Sequence, residues 1–183
     1  MKTVINFISF QIGWFACVLG AANGLPWIGP LVCFPILALH LFMSERPGAE
    51  LRLVLAAPVI GLVLDSLLVA TGWLAYPNGM LIQGVAPYWI LLMWALFAST
   101  LNVSMRWLHG KYVLAALFGA IGGPVSYLAG AKLGGLVFFE TTPALIALGL
   151  GWAVAMPVLL YLAQRFSGQL AQRVPGALET ADA

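Results

Sequence analysis

Two ionisable side chains lie inside long apolar segments of this chain and are the first candidates for chemistry. Asp65 lies in the segment VLDSLLVATGW, and Lys132 is the only charged residue between Lys111 and Glu140. A charge at the centre of a membrane costs about 2.5–3.5 kcal/mol on insertion scales, so such groups face the protein interior and find partners. We therefore predict that Asp65 and Lys132 border an interior polar site.

The spacing leaves two interpretations of this pair open. At 1.5 Å per residue, Asp65 lies roughly 21 Å into its segment, and the ammonium of Lys132 can hang at nearly the same depth. The two side chains would then form an ion pair. In the other interpretation, Lys132 extends to the outer face of the membrane that the protein spans, towards Glu140. Asp65 is then protonated, or hydrogen-bonded to Ser66 and neighbouring hydroxyl groups.

Polar residues also recur along the apolar segment 88–107. Ser99, Asn102 and Arg106 follow one another at intervals of three and four residues, which places them on one face of a helix. One interpretation is hydrogen bonding between helices. The other is an inward-facing polar cleft in which Arg106 binds a lipid phosphate or a carboxylate.

Small residues surround Lys132 at intervals of four. This pattern lets two helices approach closely in lipid, so we predict helix packing through Gly119, Gly123, Gly130 and Gly134. Pro124, in the same segment, favours a kink whose freed backbone could line a site. The predicted interior site comprises Asp65, Lys132, Tyr127, Ser126, Asn102, Ser99 and Arg106.

The composition of the chain indicates the elements that must position these residues. The 183 residues are 62% hydrophobic and only 8% charged, whereas soluble domains carry about 25% charged residues. Apolar runs close to the roughly 20 residues that cross a bilayer recur with short breaks. The sequence thus predicts an all-α, polytopic transmembrane helix bundle. Its six spans are expected at residues 4–22, 25–43, 51–75, 88–107, 112–139 and 143–164.

The basic residues predict how the bundle is oriented. All but Lys132 fall on one side of a six-span arrangement, and the opposite loops at 23–26 and 76–87 carry no charge, so both termini are expected in the cytoplasm. Tyr76 is expected in the aromatic belt at the outer surface. Residues 1–164 are predicted to form a single transmembrane domain, followed by a short cytoplasmic tail at 165–183.

Several classes of function are disfavoured by what the sequence lacks. A net charge of +2 with scattered basic residues does not favour nucleic acid as a partner. The two histidines, His40 and His109, cannot supply histidine boxes and no HExxH motif occurs, so neither a metal nor a cofactor is expected. The absence of a GxSxG motif also disfavours an enzyme of a familiar kind.

Three stretches of the chain resemble the family called domain of unknown function 2878. They are NFISFQIGWFACVLGA at 6–21, PYWILLMWALFASTL at 87–101 and GGPVSYLAGAKLG at 122–134, and the last of them is the most specific. The resemblance extends over nearly the whole chain. It implies a compact helical protein of the bacterial inner membrane with no assigned activity. It also implies a role beside lipid modification or oxidative stress, because relatives tend to be encoded near fatty-acyl-modifying enzymes.

Three functional hypotheses follow from these observations. The first is an accessory or binding component in fatty-acyl modification of membrane lipids or in a stress response. Its expected partners are membrane lipids and another membrane protein or a lipid-modifying enzyme. The second is a transporter of small solutes, coupled or not to protons. The third is a structural partner of another membrane protein.

Overall fold

The computed structural model describes residues 1–168, and these residues form an all-helical bundle, as predicted. Two short strands, β1 (Leu74–Ala75) and β2 (Val137–Phe138), and a 3-10 helix at Arg106–Leu108 lie in its connections. Most of the predicted tail at 165–183 falls outside the described residues. The helices are α1 (Lys2–Ala22), α2 (Ile28–Met43), α3 (Pro47–Ala70), α4 (Tyr88–Leu101), α5 (Tyr112–Lys132) and α6 (Thr141–Phe166).

Four of these helices, α1, α3, α5 and α6, are long and apolar enough to cross a membrane. The other two are equally apolar but shorter, with 16 residues in α2 and 14 in α4. At 1.5 Å per residue they measure about 24 and 21 Å, less than the ~30 Å of a typical hydrocarbon core. The chain is therefore a helical membrane protein, whereas the count of six spans and the orientation of the termini stay predictions.

Helix α4 ends at Leu101, six residues earlier than the sequence predicted. Ser99 Oγ donates to the carbonyl oxygen of Leu96 at 2.6 Å, and the following threonine makes the same kind of bond. Hydroxyls that bond back to the preceding turn loosen a helix. The chain continues as turns and the 3-10 helix. The prediction that Ser99, Asn102 and Arg106 share one helical face is therefore wrong.

Helix α5 ends at Lys132 rather than at residue 139. Gly134 has a φ angle of +89°, in the left-handed region that glycine adopts readily, and the chain turns there. Beyond the turn, β2 pairs antiparallel with β1, with Phe138 opposite Leu74. Gly134 therefore lies in a turn, outside the helix that its predicted packing role requires. Strands this short give no period in the sequence from which to predict them.

Helix α5 packs closely against α6. A Cβ atom at Gly119 would collide with the backbone of Trp152, and one at Gly123 would collide with the ring of the same residue. Glycine at both positions is what permits this approach, as in other membrane bundles. Gly130 has only the side chain of Leu136 nearby, at 3.5 Å from where its Cβ would lie, and Leu136 belongs to no helix.

The helices alternate in direction, which gives the bundle two ends. We call one the basic end: it holds the N-terminus and the α2–α3 and α4–α5 connections, and there the Arg46 guanidinium donates to the carbonyl oxygen of Ser167. We call the other the loop end, which holds the long loop 71–87. At the loop end, Asn78 Nδ2 donates to the carbonyl oxygen of Ala21 at 2.8 Å, which ties this loop to the end of α1.

Candidate functional site

Asp65 on α3 is fully buried and accepts three hydrogen bonds. The hydroxyls of Tyr76 and Tyr127 both donate to Oδ1 at 2.6 Å, and the indole of Trp94 donates to Oδ2 at 2.8 Å. Each of these donors needs an acceptor, because a buried polar group without a hydrogen bond is costly. Because the donors come from loop 71–87, α5 and α4, this one carboxyl group joins four separate parts of the chain.

The ion pair between Asp65 and Lys132 does not form. Lys132 is exposed, and the ion pairs within residues 1–168 are Lys2–Glu45 and His40–Glu50. Lys132 is the last residue of α5, whereas the position beside Asp65 is filled by Tyr127, more than a turn earlier. The exposure of Lys132 agrees with the second interpretation.

Hydroxyl groups do bond to Asp65, but they are not those that were expected. Ser66 Oγ accepts a hydrogen bond from the backbone N–H of Ala86 at 3.0 Å, which fixes loop 71–87 to α3. Tyr76 lies in the interior rather than in a surface belt, since only 1% of it is exposed.

The sequence analysis missed Tyr76 and Trp94 as site residues. A usable signal existed for Tyr76, because a buried carboxyl group needs donors and this tyrosine is the first aromatic hydroxyl after Asp65 in the chain. Trp94 gave no such signal. Whether its indole N–H reaches Asp65 depends on how α4 is rotated against α3.

A cavity of about 210 Å³ lies directly in front of this carboxyl cluster, between α1, α4, α5 and α6. Trp94 and Tyr127 form part of its wall, so Asp65 supports the wall from behind. Trp94 stacks on Trp152 with ring centroids 4.4 Å apart, and Phe97 meets Trp152 edge-on at 5.2 Å. The wall is thus aromatic, and we call this space the aromatic cavity. Trp94 and Tyr127 are held in place by their hydrogen bonds to Asp65 behind the wall.

The cavity reaches the surface of the bundle between α1 and α5. Phe118 and Gly122, which line it, are both exposed, so its mouth faces the side of the bundle where hydrocarbon would lie. Trp14 of α1 donates its indole N–H to Ser126 Oγ of α5 at 3.2 Å. This hydrogen bond connects the two helices that flank the opening, and Ser126, one of the residues predicted for the interior site, lines this cavity.

Three further predicted site residues lie at a second cavity, which we call the polar cleft. It has about 460 Å³, lies at the basic end against α1, α2, α3 and α4, and is lined by Ser99, Asn102 and Arg106 among others. Asn6 Nδ2 donates to the carbonyl oxygen of Ser99 at 3.1 Å, and such contacts of α1 with α4 separate the cleft from the aromatic cavity. The structure therefore divides the predicted site in two and leaves Lys132 outside both.

Two further residues of the polar cleft were not assigned to a site from the sequence. His40 Nε2 lies 3.0 Å from Glu50 Oε2, and both side chains are almost fully buried. The amide of Asn102 donates to Glu50 Oε1 at 2.8 Å. Among the residues that the structure describes, no group of three histidine, cysteine, aspartate or glutamate side chains is placed to hold a metal ion.

The fold and the two cavities define a helical membrane protein with an aromatic cavity supported by a buried carboxyl group. The chain belongs to the family described as protein of unknown function DUF2878, whose model matches residues 3–158. This match confirms the resemblance seen in the sequence. No curated protein and no solved structure matches the chain.

Proposed function

We propose that this protein binds an apolar chain of a membrane lipid or of a similar amphiphile in the aromatic cavity. The observation that carries the proposal is the combination of an apolar lining with a mouth between α1 and α5 on the lipid-facing side of the bundle. Apolar cavities of about 150 Å³ stay dry and bind small hydrocarbons such as benzene. A cavity of about 210 Å³ has room for a segment of an acyl chain rather than for a whole drug-sized molecule.

In this proposal Asp65 is a positioning residue. It is fully buried behind the wall, so it acts through Trp94 and Tyr127, whose polar atoms it holds away from the cavity. Without such an acceptor, a buried indole N–H or hydroxyl costs about 1–3 kcal/mol, and the aromatic rings would turn towards other partners. At these two residues the cavity presents an apolar surface, because their polar atoms are satisfied on the other side; the buried indole N–H of Trp152, which also lines the cavity, has no hydrogen-bond partner among the described residues.

The proposal extends to the setting of the protein. A six-span arrangement in a bacterial inner membrane, with the basic end in the cytoplasm, accords with the concentration of basic residues at that end. The short helices α2 and α4 would then cross where the bilayer thins or with help from their flanking loops. A protein that holds an acyl chain is suited to present it to a lipid-modifying enzyme.

Photocrosslinking tests the proposal directly. Protein reconstituted in vesicles is labelled with palmitic acid that carries a diazirine, and the labelled residues are identified by mass spectrometry. We expect labels at cavity residues such as Met93. Gly122→Leu should reduce them several-fold, because a side chain there starts in open space at the mouth and can fill the cavity. Val125→Leu, which adds a methylene on the exposed face of the same helix, is the matched control.

Two outcomes would contradict this function. Labels spread evenly over the exposed apolar residues, unchanged in Gly122→Leu, would mean that the cavity holds no chain. Solute flux into protein-containing liposomes that is lost with Asp65→Asn would instead support the transporter hypothesis. The fatty-acid profile of a deletion strain, compared with its parent, tests whether the protein acts in lipid modification.

A further inference from the structure

The polar cleft at the basic end has a floor of buried hydrogen-bond acceptors. Glu50 is only 6% exposed, and its two carboxylate oxygens are contacted by His40 and Asn102. The Asn102 amide nitrogen must face the carboxylate, since it is the donor, and this orientation fixes Oδ1 as an acceptor. That oxygen is buried and has no hydrogen-bond partner among the described residues.

An unpartnered buried acceptor is unusual and has a cost of about 1–3 kcal/mol. Asn102 lines the cleft, so a molecule in the cleft that carries an N–H or O–H group can supply the missing donor. The adjacent Glu50 carboxylate makes a positively charged donor, such as a primary ammonium, the best complement.

The cleft also has a cationic rim. Lys2, Arg46 and Arg106 all line it, and two of them have partners: Lys2 pairs with Glu45 at 3.6 Å, and Arg46 donates to Ser167. Arg106 forms no ion pair with a residue in the described part of the chain and is exposed. Its planar guanidinium fits the oxygens of a phosphate group, which it can bind with two hydrogen bonds.

We propose that the polar cleft binds a phosphate group linked to a primary ammonium, with the phosphate at Arg106 and the ammonium at Asn102 Oδ1 and Glu50. Residues 102 and 106 lie in the same turn-rich connection and both line the cleft. This chemistry occurs both in ethanolamine lipid headgroups and in free phosphoethanolamine. The inference goes beyond the proposed function and does not depend on it, because the cleft and the aromatic cavity share no lining residue.

The full chain is reconstituted in nanodiscs that contain equal amounts of phosphatidylethanolamine and phosphatidylcholine. Native mass spectrometry then measures which lipids remain bound when the protein is released. The trimethylated choline group has no N–H, so it cannot supply the missing donor. We expect several-fold more phosphatidylethanolamine to be retained. Arg106→Gln should lower this retention about tenfold, the loss expected for a charge-assisted phosphate contact. Arg52→Gln, an exposed arginine on α3 outside the cleft lining, is the control and should leave retention unchanged.

A second variant separates the two halves of the site. Asn102→Ala should abolish the preference for ethanolamine over choline while phosphate-dependent retention persists. Free phosphoethanolamine, added to protein in detergent, distinguishes the sources: binding that Arg106→Gln removes would assign the site to a soluble molecule, and its absence beside retained lipid would assign it to the headgroup.

Equal retention of both lipids by the unmodified protein, with no binding of the free compound, would overturn the proposal, as would equal effects of Arg106→Gln and Arg52→Gln. Gly122→Leu should alter none of these results. Loss of acyl-chain labelling and loss of headgroup selectivity are thus separate failures.

Discussion

The aromatic cavity and the polar cleft both lie against α1 and α4, yet they treat their buried carboxyl groups in opposite ways. Asp65 is sealed behind a wall of rings and accepts hydrogen bonds from two tyrosine hydroxyls and one indole. Glu50 faces a cleft lined by charged and amide groups, and an acceptor next to it is left without a donor. Asp65 therefore joins parts of the fold to one another, whereas Glu50 lies beside a cleft that is open to another molecule.

The largest expected difference between the two regions comes from removing each carboxyl group. Asp65→Ala leaves three buried donors without an acceptor and should lower the free energy of unfolding by about 3–5 kcal/mol. Glu50→Ala should cost about 1 kcal/mol, because water entering the polar cleft can replace the lost contacts. Unfolding by sodium dodecyl sulfate in detergent micelles measures both. Equal losses in the free energy of unfolding for the two variants would contradict the view that water is excluded from Asp65 but can reach Glu50.

Asp65→Asn sharpens the same comparison. The asparagine oxygen can accept from Trp94, an indole that only donates, while its nitrogen donates to the two tyrosine hydroxyls, which can also accept. The cost should therefore fall to about 1–2 kcal/mol. A cost as large as that of the alanine variant would mean that the negative charge itself, rather than the pattern of donors, stabilises the cluster.

The next effect concerns the wall of the aromatic cavity on α5. Gly119→Ala places a methyl group against the backbone of α6, which cannot easily move, so we expect a loss of about 2–3 kcal/mol in the free energy of unfolding. Gly122→Ala on the same helix meets no atom within 4 Å and should be neutral or stabilise by up to about 1 kcal/mol. A similar loss at both positions would show that helix packing does not explain the glycines.

A smaller effect is expected from one hydroxyl group. Tyr127→Phe removes a buried donor to Asp65 and should lower the free energy of unfolding by about 1–2 kcal/mol. Tyr161→Phe, on the exposed face of α6, is the control and should change it by no more than about 0.5 kcal/mol. If Tyr127→Phe also broadens the pattern of diazirine labelling, the hydroxyl positions the cavity wall as proposed.

The smallest expected effect tests whether Asp65 needs Lys132 as a positively charged partner. Lys132→Met should change the free energy of unfolding by no more than about 0.5 kcal/mol, because the side chain is exposed. Its effect and that of Asp65→Asn should add in the double variant to within about 0.5 kcal/mol. A double variant more stable than Asp65→Asn alone would restore the ion pair that the structure excludes.

The amino-acid sequence by itself determined the class of fold. In hydrocarbon every backbone polar group must be satisfied within its own segment, so apolar runs become helices whatever surrounds them. The spacing of Gly119 and Gly123 likewise predicted that their helix approaches another helix closely, because only small residues allow such an approach. Asp65 was recognisable as a site residue for the same local reason: a carboxyl group in such a run must have partners.

Only the tertiary structure decided which partners these are. The donors to Asp65 come from a loop and two helices distant in the chain, and their meeting depends on the order and rotation of the helices. The early end of α4, set by hydroxyls that bond back to their own helix, carried Asn102 and Arg106 into a separate cleft. Local hydropathy fixes where a helix forms, but a polar contact between helices is a property of pairs of segments, and a single sequence does not record which pairs meet.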